Sequence, residues 1–323
     1  MRNGVNPEKF KNELLPVFLH RVIVPVYIPN LKEEYYRNHL EVFEKFLDQL
    51  IRTINPQTTA ITLINNNSCD EIAGVIDKYR SAIDKLVWYA ENKGKVFPVL
   101  QEARAAAEPF VTITDADVLF YEGWEQAVFT IFASCPKAGV VAPLPSPALA
   151  FYENTAVFSD NFLTGGINYQ KILSDADAEL YLAGMGNNSL LNRENREFSW
   201  KERQYVLTKA NAIVGSGHFV ATYRSELFKG KNEQPKLKFK NGLEREFIDS
   251  LSDEKGYYRL STIETYAYHM ANNLDEHAIS LKEEGENLVS EDLIRKAQNS
   301  KKSPFPFFLR KLVFRILKRF FKL

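Results

Sequence analysis

The stretch Phe110–Phe120, FVTITDADVLF, decides how the rest of the chain is interpreted. Its first five residues, Phe110 to Thr114, predict a buried strand, and Asp115 and Asp117 follow where that strand ends. Alternate residues of a strand point to the same side, so the two acids leave the sheet together. Two neighbouring carboxylates at a buried strand end repel each other and are poorly solvated, and a divalent cation relieves that cost.

Strands and helices alternate in the sequence before this stretch. Apolar runs at residues 22–27, 60–64 and 86–90 predict three further strands, and the segments between them have helical spacing. The segment before Phe110 is rich in alanine and is also predicted to be helical. This alternation indicates βαβ units and an α/β fold, with a mostly parallel, Rossmann-like sheet and helices on both faces.

Polar residues follow three of these predicted strands. They are Tyr27, the run Asn65–Ser68, and the pair Asp115 and Asp117. Ligands of parallel sheets bind at the carboxyl ends of strands, so we expect these residues to converge on one site. Carboxylate oxygens there suit Mg²⁺ or Mn²⁺. A surface turn with two acids, or acids that cap the next helix, is the alternative without a ligand.

A second class of enzymes also places Asp-x-Asp after an apolar strand. In the haloacid-dehalogenase phosphatases the pair normally follows the first strand of the domain, and a lysine and further acids come downstream. Here three strand–helix units precede Asp115, which disfavours that class.

Five stretches resemble glycosyltransferase family two, of the GT-A fold, and its bacterial polysaccharide-building members. They are VIVPVYIPN, LINNNSCDE, ENKGKVFPVLQEAR, VTITDADVLF and the weaker GYYRLSTIETYAYHMAN, which together span residues 21–272. The resemblance implies a metal-dependent glycosyltransferase. Such an enzyme moves a sugar from a nucleotide diphosphate sugar, expected to be a UDP-sugar, to a saccharide or lipid-linked glycan in surface polysaccharide synthesis, with inversion.

The resemblance also implies roles for individual residues. The implied contacts of the donor nucleotide are Pro25, Val26, Tyr27, Asn65, Lys95, Arg104 and Asp115. The implied ligands of Mn²⁺ or Mg²⁺ are Asp115, Asp117 and His269. Asn65 departs from the family, which often has an acid at that position, so the identity of the base stays open. A lone histidine in an aromatic setting such as Tyr268-His269-Met270 also occurs simply as a satisfied core residue.

An inverting transfer needs a carboxylate that accepts the proton of the acceptor hydroxyl. The stretch LEREFIDSLSDEKGYYRL holds five acids, namely Glu244, Glu246, Asp249, Asp253 and Glu254. The family takes its base from an acidic position shortly before such a segment, and Asp249 and Glu246 are the candidates. A solvated helix face is the alternative.

Gly217 and His218 are candidate residues of the acceptor side. They lie in the sequence Gly215-Ser216-Gly217-His218, whose glycines let the backbone approach a ligand closely. A tight turn explains the same glycines without a ligand.

Residues 305–323, FPFFLRKLVFRILKRFFKL, differ from the rest of the chain. One predicted helical face is apolar, with Leu309, Leu312, Val313, Ile316, Leu317 and Phe320. The segment has six cations and no acid, the cations being Arg310, Lys311, Arg315, Lys318, Arg319 and Lys322. Such a basic amphipathic helix predicts attachment to an anionic membrane surface. Docking on the body or on a partner is the alternative.

Composition restricts the other classes of function. Without the six cations of this tail the chain carries 35 basic and 41 acidic residues, which argues against nucleic acid as a partner. The two cysteines form no disulfide framework, and no run of 18 apolar residues is present. The first residues lack the apolar region of a signal peptide. We therefore expect a cytoplasmic protein, peripherally attached to the inner face of the cell membrane.

The predicted organisation is one GT-A domain followed by two short segments. The domain covers residues 1–280, with a nucleotide-binding half at about 20–120 and an acceptor half at about 121–280. A polar linker or helix at 281–304 leads into the membrane-associating helix at 305–323.

Two other functions fit parts of the pattern. A sugar nucleotidyltransferase also uses an α/β domain and acid-bound Mg²⁺, but it would need a glycine-rich basic loop after the first strand, where this chain has VPVYIPN. A non-catalytic module that binds nucleotide sugars would keep the fold without turnover.

Overall fold

The computed structural model describes residues 17–185, 200–230, 233–274 and 288–320. Its strands are β1 (His20–Val26), β2 (Thr59–Asn65), β3 (Lys85–Trp88), β4 (Phe110–Thr114), β5 (Val118–Phe120), β6 (Ala138–Ala142), β7 (Ile167–Gln170), β8 (Gln204–Leu207), β9 (Ala212–Val214), β10 (Val220–Arg224), β11 (Tyr258–Ser261) and β12 (Ala267–His269). Its α-helices are α1 (His39–Thr53), α2 (Ile72–Lys78), α3 (Val96–Ala105), α4 (Trp124–Ser134), α5 (Thr155–Asn161), α6 (Asp175–Met185), α7 (Ser250–Lys255), α8 (Glu291–Ala297) and α9 (Phe307–Phe320). A π-helical turn, Arg245–Asp249, leads into α7.

Some predicted features lie partly outside the described residues. These are the start of the predicted domain at 1–16, the start of the predicted linker at 281–287, and the end of the tail at 321–323 with Lys322.

One sheet holds ten of the described strands, in the order β3-β2-β1-β4-β10-β6-β11-β9-β8-β7. The first four strands in this order run parallel, and α1, α2 and α3 connect them along the chain. Beyond β4 the pairing is mixed, because β10 is antiparallel to both β4 and β6, whereas β6 and β11 run parallel. The predicted α/β class is confirmed, and the parallel arrangement is concentrated in the first half.

The inner strands of the parallel half are largely apolar because they are covered on both faces, whereas β3, at the edge, is partly exposed. Every residue of β2 and β4 is buried. The helix α1 packs one face onto the core through residues three or four positions apart, namely Val42, Phe43, Phe46, Leu47 and Leu50. The inner face of α1 and the buried strands thus form this half of the core.

A second, two-stranded sheet brings a late segment of the chain to the end of β4. The strand β5 begins one residue after Asp117 and pairs antiparallel with β12, so that His269 lies opposite Val118. The backbone N–H of Met270 also donates to the carbonyl of Asp117 at 2.8 Å. The pairing thus fixes His269 beside the Asp-x-Asp turn.

Residues 288–320 run along the body of the protein. The side-chain amide of Asn55 donates to the carbonyl of Val289 at 2.8 Å, and Arg224 donates to the carbonyl of Asn299 at 3.0 Å. The helix α8 packs on α4, and α9 packs on α5 and α7. In the part of the chain that the structure describes, we find no helix with the length and apolar character needed to cross a bilayer.

A buried polar cluster joins the first strands to α4. Glu125 Oε1 accepts from His20 Nδ1 at 2.8 Å and from Thr59 Oγ1 at 2.6 Å, and Glu125 Oε2 accepts from the backbone N–H of Asn55 at 2.8 Å. The other ring nitrogen of His20 lies 2.7 Å from Thr112 Oγ1. His20 and Glu125 are 0% and 1% exposed, so these partners replace water completely.

We predict that Glu125→Ala lowers the free energy of unfolding by about 3 kcal/mol, because two buried donors and one partly buried donor lose their acceptor. Urea unfolding followed by circular dichroism measures the loss. The exposed Glu202 provides the control, since Glu202→Ala should change stability by less than about 0.5 kcal/mol. Equal effects of the two substitutions would show that the cluster adds no stability.

Candidate active site

A cavity of about 340 Å³ opens where the parallel strands end. The residues that line it include members of the turns after β1, β2, β3 and β4, namely Tyr27, Asn66, Asn92, Lys95, Asp115 and Asp117. Tyr35, Tyr36, His39 and Phe239 add an aromatic wall. The convergence expected from the strand ends is therefore present, and the cavity has the aromatic and polar lining that suits a planar base with a charged tail.

Two acids that line this cavity and the neighbouring His269 form a set of candidate metal ligands. Asp115, Asp117 and His269 each present one ligand atom, and these atoms lie within 4.8 Å of one another. His269 Nδ1 donates to the carbonyl of Gly184 at 2.9 Å, which directs Nε2 towards Asp117 Oδ2 at 3.4 Å. Asp117 Oδ1 is buried and has no hydrogen-bond partner among the described residues. Two carboxylates, one of which has an unpartnered oxygen, and one imidazole fit Mn²⁺ or Mg²⁺.

Lys95 faces these acids. Its ammonium pairs with Asp115 Oδ1 and lies 3.8 Å from Glu244 Oε1. Burial alone would lower the pKa of Lys95, but the surrounding carboxylates outweigh it and raise that pKa. Burial, together with the charge of Asp117, raises the pKa of Asp115 against the opposing effect of Lys95. Burial lowers the pKa of His269, yet its contact with Asp117 raises it overall, to about 8.

The turn before Lys95 depends on a glycine. Gly94 has φ of +75°, and a Cβ at this position would collide with the carbonyl oxygen of Lys238. Asn66 fixes the same turn, because its side chain accepts from the N–H of Lys93 at 2.8 Å and donates to the carbonyl of Gly94 at 3.0 Å. The glycine and the amide together hold Lys95 at the acids.

Five of the predicted nucleotide contacts line the cavity, namely Pro25, Val26, Tyr27, Lys95 and Asp115. The structure does not bring Asn65 and Arg104 to it. Asn65 is wholly buried, and its Oδ1 accepts from the N–H of Ser68 within the turn. Arg104 is nine residues beyond Lys95 along α3, or about 13 Å along the helix axis. It donates to the carbonyl of Glu233 instead.

The run Asn65–Ser68 was expected at this site, but Asn65 was selected as the nucleotide contact and Asn66 is the member that lines the cavity. Adjacent residues at a strand end point to opposite sides. Three other cavity residues were not predicted from the sequence. Tyr35 and Tyr36 form a 3₁₀ turn that precedes α1, within a segment predicted to be continuous helix. His39 is the first residue of α1. The adjacent aromatic residues Tyr35 and Tyr36, just before α1, were the sequence feature from which this aromatic wall could have been predicted.

Asp249, a predicted base, lies in the interior. It is 0% exposed, and its carboxylate accepts from Arg259 at 3.1 Å and from the hydroxyl of Tyr152 at 3.0 Å. His218 Nδ1 lies 3.4 Å from the same carboxylate. Burial would raise the pKa of Asp249, but Arg259 and His218 lower it below its usual value. A buried carboxylate that is already paired and resists protonation is poorly suited to accept a proton from an acceptor.

Glu246, the other predicted base, lies on a different surface. Its side chain is 56% exposed, pairs with Lys240 at 3.7 Å, and lines a separate cavity with Phe247. Glu244, which the sequence analysis did not select, is the acid of this segment that lies next to Lys95, with 31% of its side chain exposed. The structure therefore places Glu244 next to Lys95, which pairs with Asp115, and places Glu246 on a different surface.

Gly217 and His218 lie beside the buried pair Asp249–Arg259, because Arg259 donates to the carbonyl of Gly217 at 3.3 Å and His218 contacts Asp249. Gly215 has φ of +129°, and a Cβ there would meet the carbonyl oxygen of Ser146, so this glycine serves a tight backbone contact. Gly217 has no such restriction. The ring of His218 is 48% exposed, and the contact with Asp249 raises its pKa above the usual value. One side of the His218 ring thus contacts a buried carboxylate, and the rest of the ring is exposed to solvent.

No protein-family model and no curated protein matches the chain. Solved structures match at low identity. Residues 1–349 of S. aureus TarS in complex with UDP-GlcNAc match over 94% of this chain and 73% of that one, with 16% identity and a TM-score of 0.47. The mannosyltransferase PcManGT from Pyrobaculum calidifontis, in complex with GDP-Man and Mn²⁺, matches over 76% of this chain and 55% of its own, with 16% identity and a TM-score of 0.42. The chain spans 59% of another TarS 1–349 structure, with 15% identity and a TM-score of 0.44. The similarity assigns no activity to this chain.

We predict that Asp249→Asn lowers the free energy of unfolding at pH 7 by about 3–5 kcal/mol, because it leaves the buried Arg259 without an opposite charge. The folded-state pKa of Asp249 is lowered, so its contribution is present above the unfolded value of about 3.9 and is lost as pH falls through the lower folded value. The difference between wild type and variant should therefore shrink in acid.

Asp253 provides the matched control for this prediction. It is also buried, but burial raises its pKa, so its ionised form opposes folding at neutral pH. Asp253→Asn should consequently cost less at pH 7 than Asp249→Asn. Urea unfolding at pH 7, 5 and 3.5 measures both variants, and a pH-independent loss for Asp249→Asn would contradict the ion-pair role.

Proposed function

We propose that this chain is a metal-dependent glycosyltransferase. It would transfer a sugar from a nucleotide diphosphate sugar, in the first instance a UDP-sugar, to a saccharide or lipid-linked glycan. The observation that carries the proposal is the group Asp115, Asp117 and His269 at the edge of an aromatic cavity, with the buried Asp117 Oδ1 unpartnered among the described residues. This arrangement suits a base in the cavity and a diphosphate at its acidic edge.

Different residues around the cavity would bind different parts of the donor. Asp115, Asp117 and His269 would hold Mn²⁺ or Mg²⁺, which stabilises the charge that develops on a leaving diphosphate. Lys95 pairs with Asp115 in the structure and adds a second positive charge at the same edge. The aromatic wall, with Tyr27 at 38% exposure, offers a face on which a base can stack.

Glu244 is the residue that we propose as the general base, in place of Asp249 and Glu246. A half-buried carboxylate beside Lys95 can accept the proton of an acceptor hydroxyl while the hydroxyl oxygen attacks the anomeric carbon. The bond from that carbon to the diphosphate oxygen breaks in the same step, and attack from the opposite side inverts the anomeric configuration. Asp249 would act through His218, which it holds in place on the acceptor side together with Gly217.

The proposed setting is the inner face of the cell membrane, where lipid-linked glycans are extended. Residues 305–323 carry six cations without an acid, which supports attachment to an anionic surface. A growing surface polysaccharide on a lipid carrier is therefore the acceptor class that we propose.

Two alternatives predict different products. A sugar nucleotidyltransferase releases pyrophosphate from a nucleoside triphosphate, whereas a glycosyltransferase releases a nucleoside diphosphate from the donor. A binding module retains the donor and releases neither. A thermal-shift screen of nucleotide sugars with Mn²⁺, followed by assay of nucleoside diphosphate release, separates the three.

We predict that donor turnover requires a divalent metal and that a chelator abolishes it. Asp117→Asn should weaken Mn²⁺ binding by about 100-fold or more, because loss of an outer-shell partner alone costs about 10- to 100-fold. Titration calorimetry with Mn²⁺ measures this, and Asp175→Asn, at a carboxylate that is 71% exposed, is the control. Full turnover in excess chelator would overturn the metal role.

We predict that Glu244→Gln lowers kcat by about 100- to 10,000-fold and leaves donor affinity nearly unchanged, because a general base acts in the transition state. Glu246→Gln makes the same chemical change two residues away, on the other surface, and should keep kcat within about twofold of wild type. Transfer to a soluble acceptor, with donor affinity measured by calorimetry, tests both. Loss of turnover in Glu246→Gln with normal turnover in Glu244→Gln would return the role to Glu246.

A further inference from the structure

The helix α9 packs on the body along one of its faces. Arg310, Phe314 and Leu317 are buried there, with 3%, 9% and 3% of their surfaces exposed. Arg310 donates to the carbonyl of Asp253 at the end of α7, and the ring of Phe314 lies 5.4 Å from that of Phe158 in α5. This face of the helix belongs to the fold.

The opposite face of α9 carries large apolar side chains in solvent. Phe308, Leu312, Ile316 and Phe320 are 73%, 52%, 46% and 72% exposed. They are spaced four residues apart and therefore form one stripe along the helix, and Phe305, 41% exposed, lies just before it. We call these five residues the outer stripe. A contiguous exposed apolar stripe indicates a surface that is covered in its working state.

Exposed cations border the outer stripe. Lys311, Arg315 and Arg319 are all exposed and lie three or four residues from its members. Residues 303–320 contain no acid. Lys318 behaves differently, because its ammonium lies 5.3 Å from the ring of Phe151 on the body. Apolar side chains flanked by cations complement a bilayer surface that presents acyl chains beneath anionic headgroups.

We propose that the outer stripe and its three bordering cations bind an anionic lipid bilayer while the inner face of α9 stays packed on the body. The sequence analysis assigned one apolar face to lipid, but the structure divides those residues, since Leu317 packs inwards and Leu312 and Ile316 point outwards. The inference deepens the membrane location proposed above. It does not depend on transferase activity, because lipid binding needs no donor.

The packing of α9 also sets how the protein meets the membrane. The helix is preceded by Lys301 and Ser303, whose backbone N–H groups donate to Pro136 and Gly256 at 2.9 and 2.8 Å. A helix held to the body on one side and to lipid on the other fixes the body against the membrane, instead of tethering it loosely. Removal of the residues after Ser303 would uncover Phe158, so substitutions on the outer stripe are the cleaner probe.

Co-sedimentation of the full chain with vesicles tests the proposal. Wild type should bind vesicles of phosphatidylcholine with one third phosphatidylglycerol more tightly than vesicles of phosphatidylcholine alone. Leu312→Ser/Ile316→Ser should weaken binding to the anionic vesicles by about tenfold or more. Arg315→Gln/Arg319→Gln should weaken it by roughly tenfold and remove most of the preference for anionic lipid.

Two matched controls separate the outer stripe from general effects. Leu163→Ser/Leu237→Ser removes two leucines that are 76% and 57% exposed on other segments, and Arg52→Gln/Lys209→Gln removes two exposed cations elsewhere. Both should bind vesicles like wild type. The outer-stripe variants should also keep the wild-type unfolding temperature and donor turnover without vesicles.

The proposal is overturned if purified wild type does not bind the anionic vesicles, which would leave the outer stripe to a protein partner. It is equally overturned if Leu312→Ser/Ile316→Ser binds like wild type or if the controls lose binding to the same extent. Failure of the transferase function would appear separately. Wild type would then bind the vesicles but would show no donor turnover.

Discussion

The charge of Asp115 and Asp117 at the end of a wholly buried strand is the constraint on which the site depends. Burial and the neighbouring acid both raise the pKa of Asp115, so the pair needs compensation from cations. Segments distant in sequence supply it: the turn after β3 brings Lys95, and the pairing of β12 with β5 brings His269. The orphaned oxygen of Asp117 shows that this compensation is incomplete among the described residues. In the function that we propose, a divalent cation with a diphosphate would complete it, because the ion would neutralise the acids and the diphosphate would neutralise the ion.

The parallel half of the fold was predictable because its inner strands, buried on both faces, are largely apolar runs bounded by turn residues. The predicted strand at 110–114 has the same bounds in the structure, and its acids lie at the cavity. The antiparallel strand β10, which separates β4 from β6, was not predicted. Its five residues, VATYR, are all buried, so they lack the alternation that marks a strand with one exposed face. Its partners β4 and β6 are also distant in sequence, and a local sequence pattern cannot predict such long-range pairing.

The placement of single side chains was not predictable where one residue changes the direction in which a side chain points. Asn65 and Asn66 are chemically identical, and only their positions at the end of β2 decide that Asn66 reaches the cavity. The acids of the segment before α7 pose the same problem on a helix. Residues 245–249 form a π-helical turn, whose wider spacing shifts the direction of each later side chain. Glu244, before the turn, faces Lys95, whereas Asp249, at its end, points into the interior. Regular helical spacing cannot distinguish these acids.

The same turn connects the acceptor side to the C-terminal helix. It continues into α7, whose last carbonyls have no partners within the helix, as at the end of any helix. Arg310 of α9 donates to the carbonyls of Asp253 and Glu254 and so caps α7. The sequence analysis had counted this arginine among the six cations of the predicted membrane-binding tail. A positive charge is favourable at this end of a helix because the helix dipole is negative there. Arg310 thereby joins α9 to the helix that follows Asp249, and Asp249 in turn contacts His218, which we propose for the acceptor side. The surface that we propose for lipid and the residues that we propose for the acceptor are thus linked through one short helix.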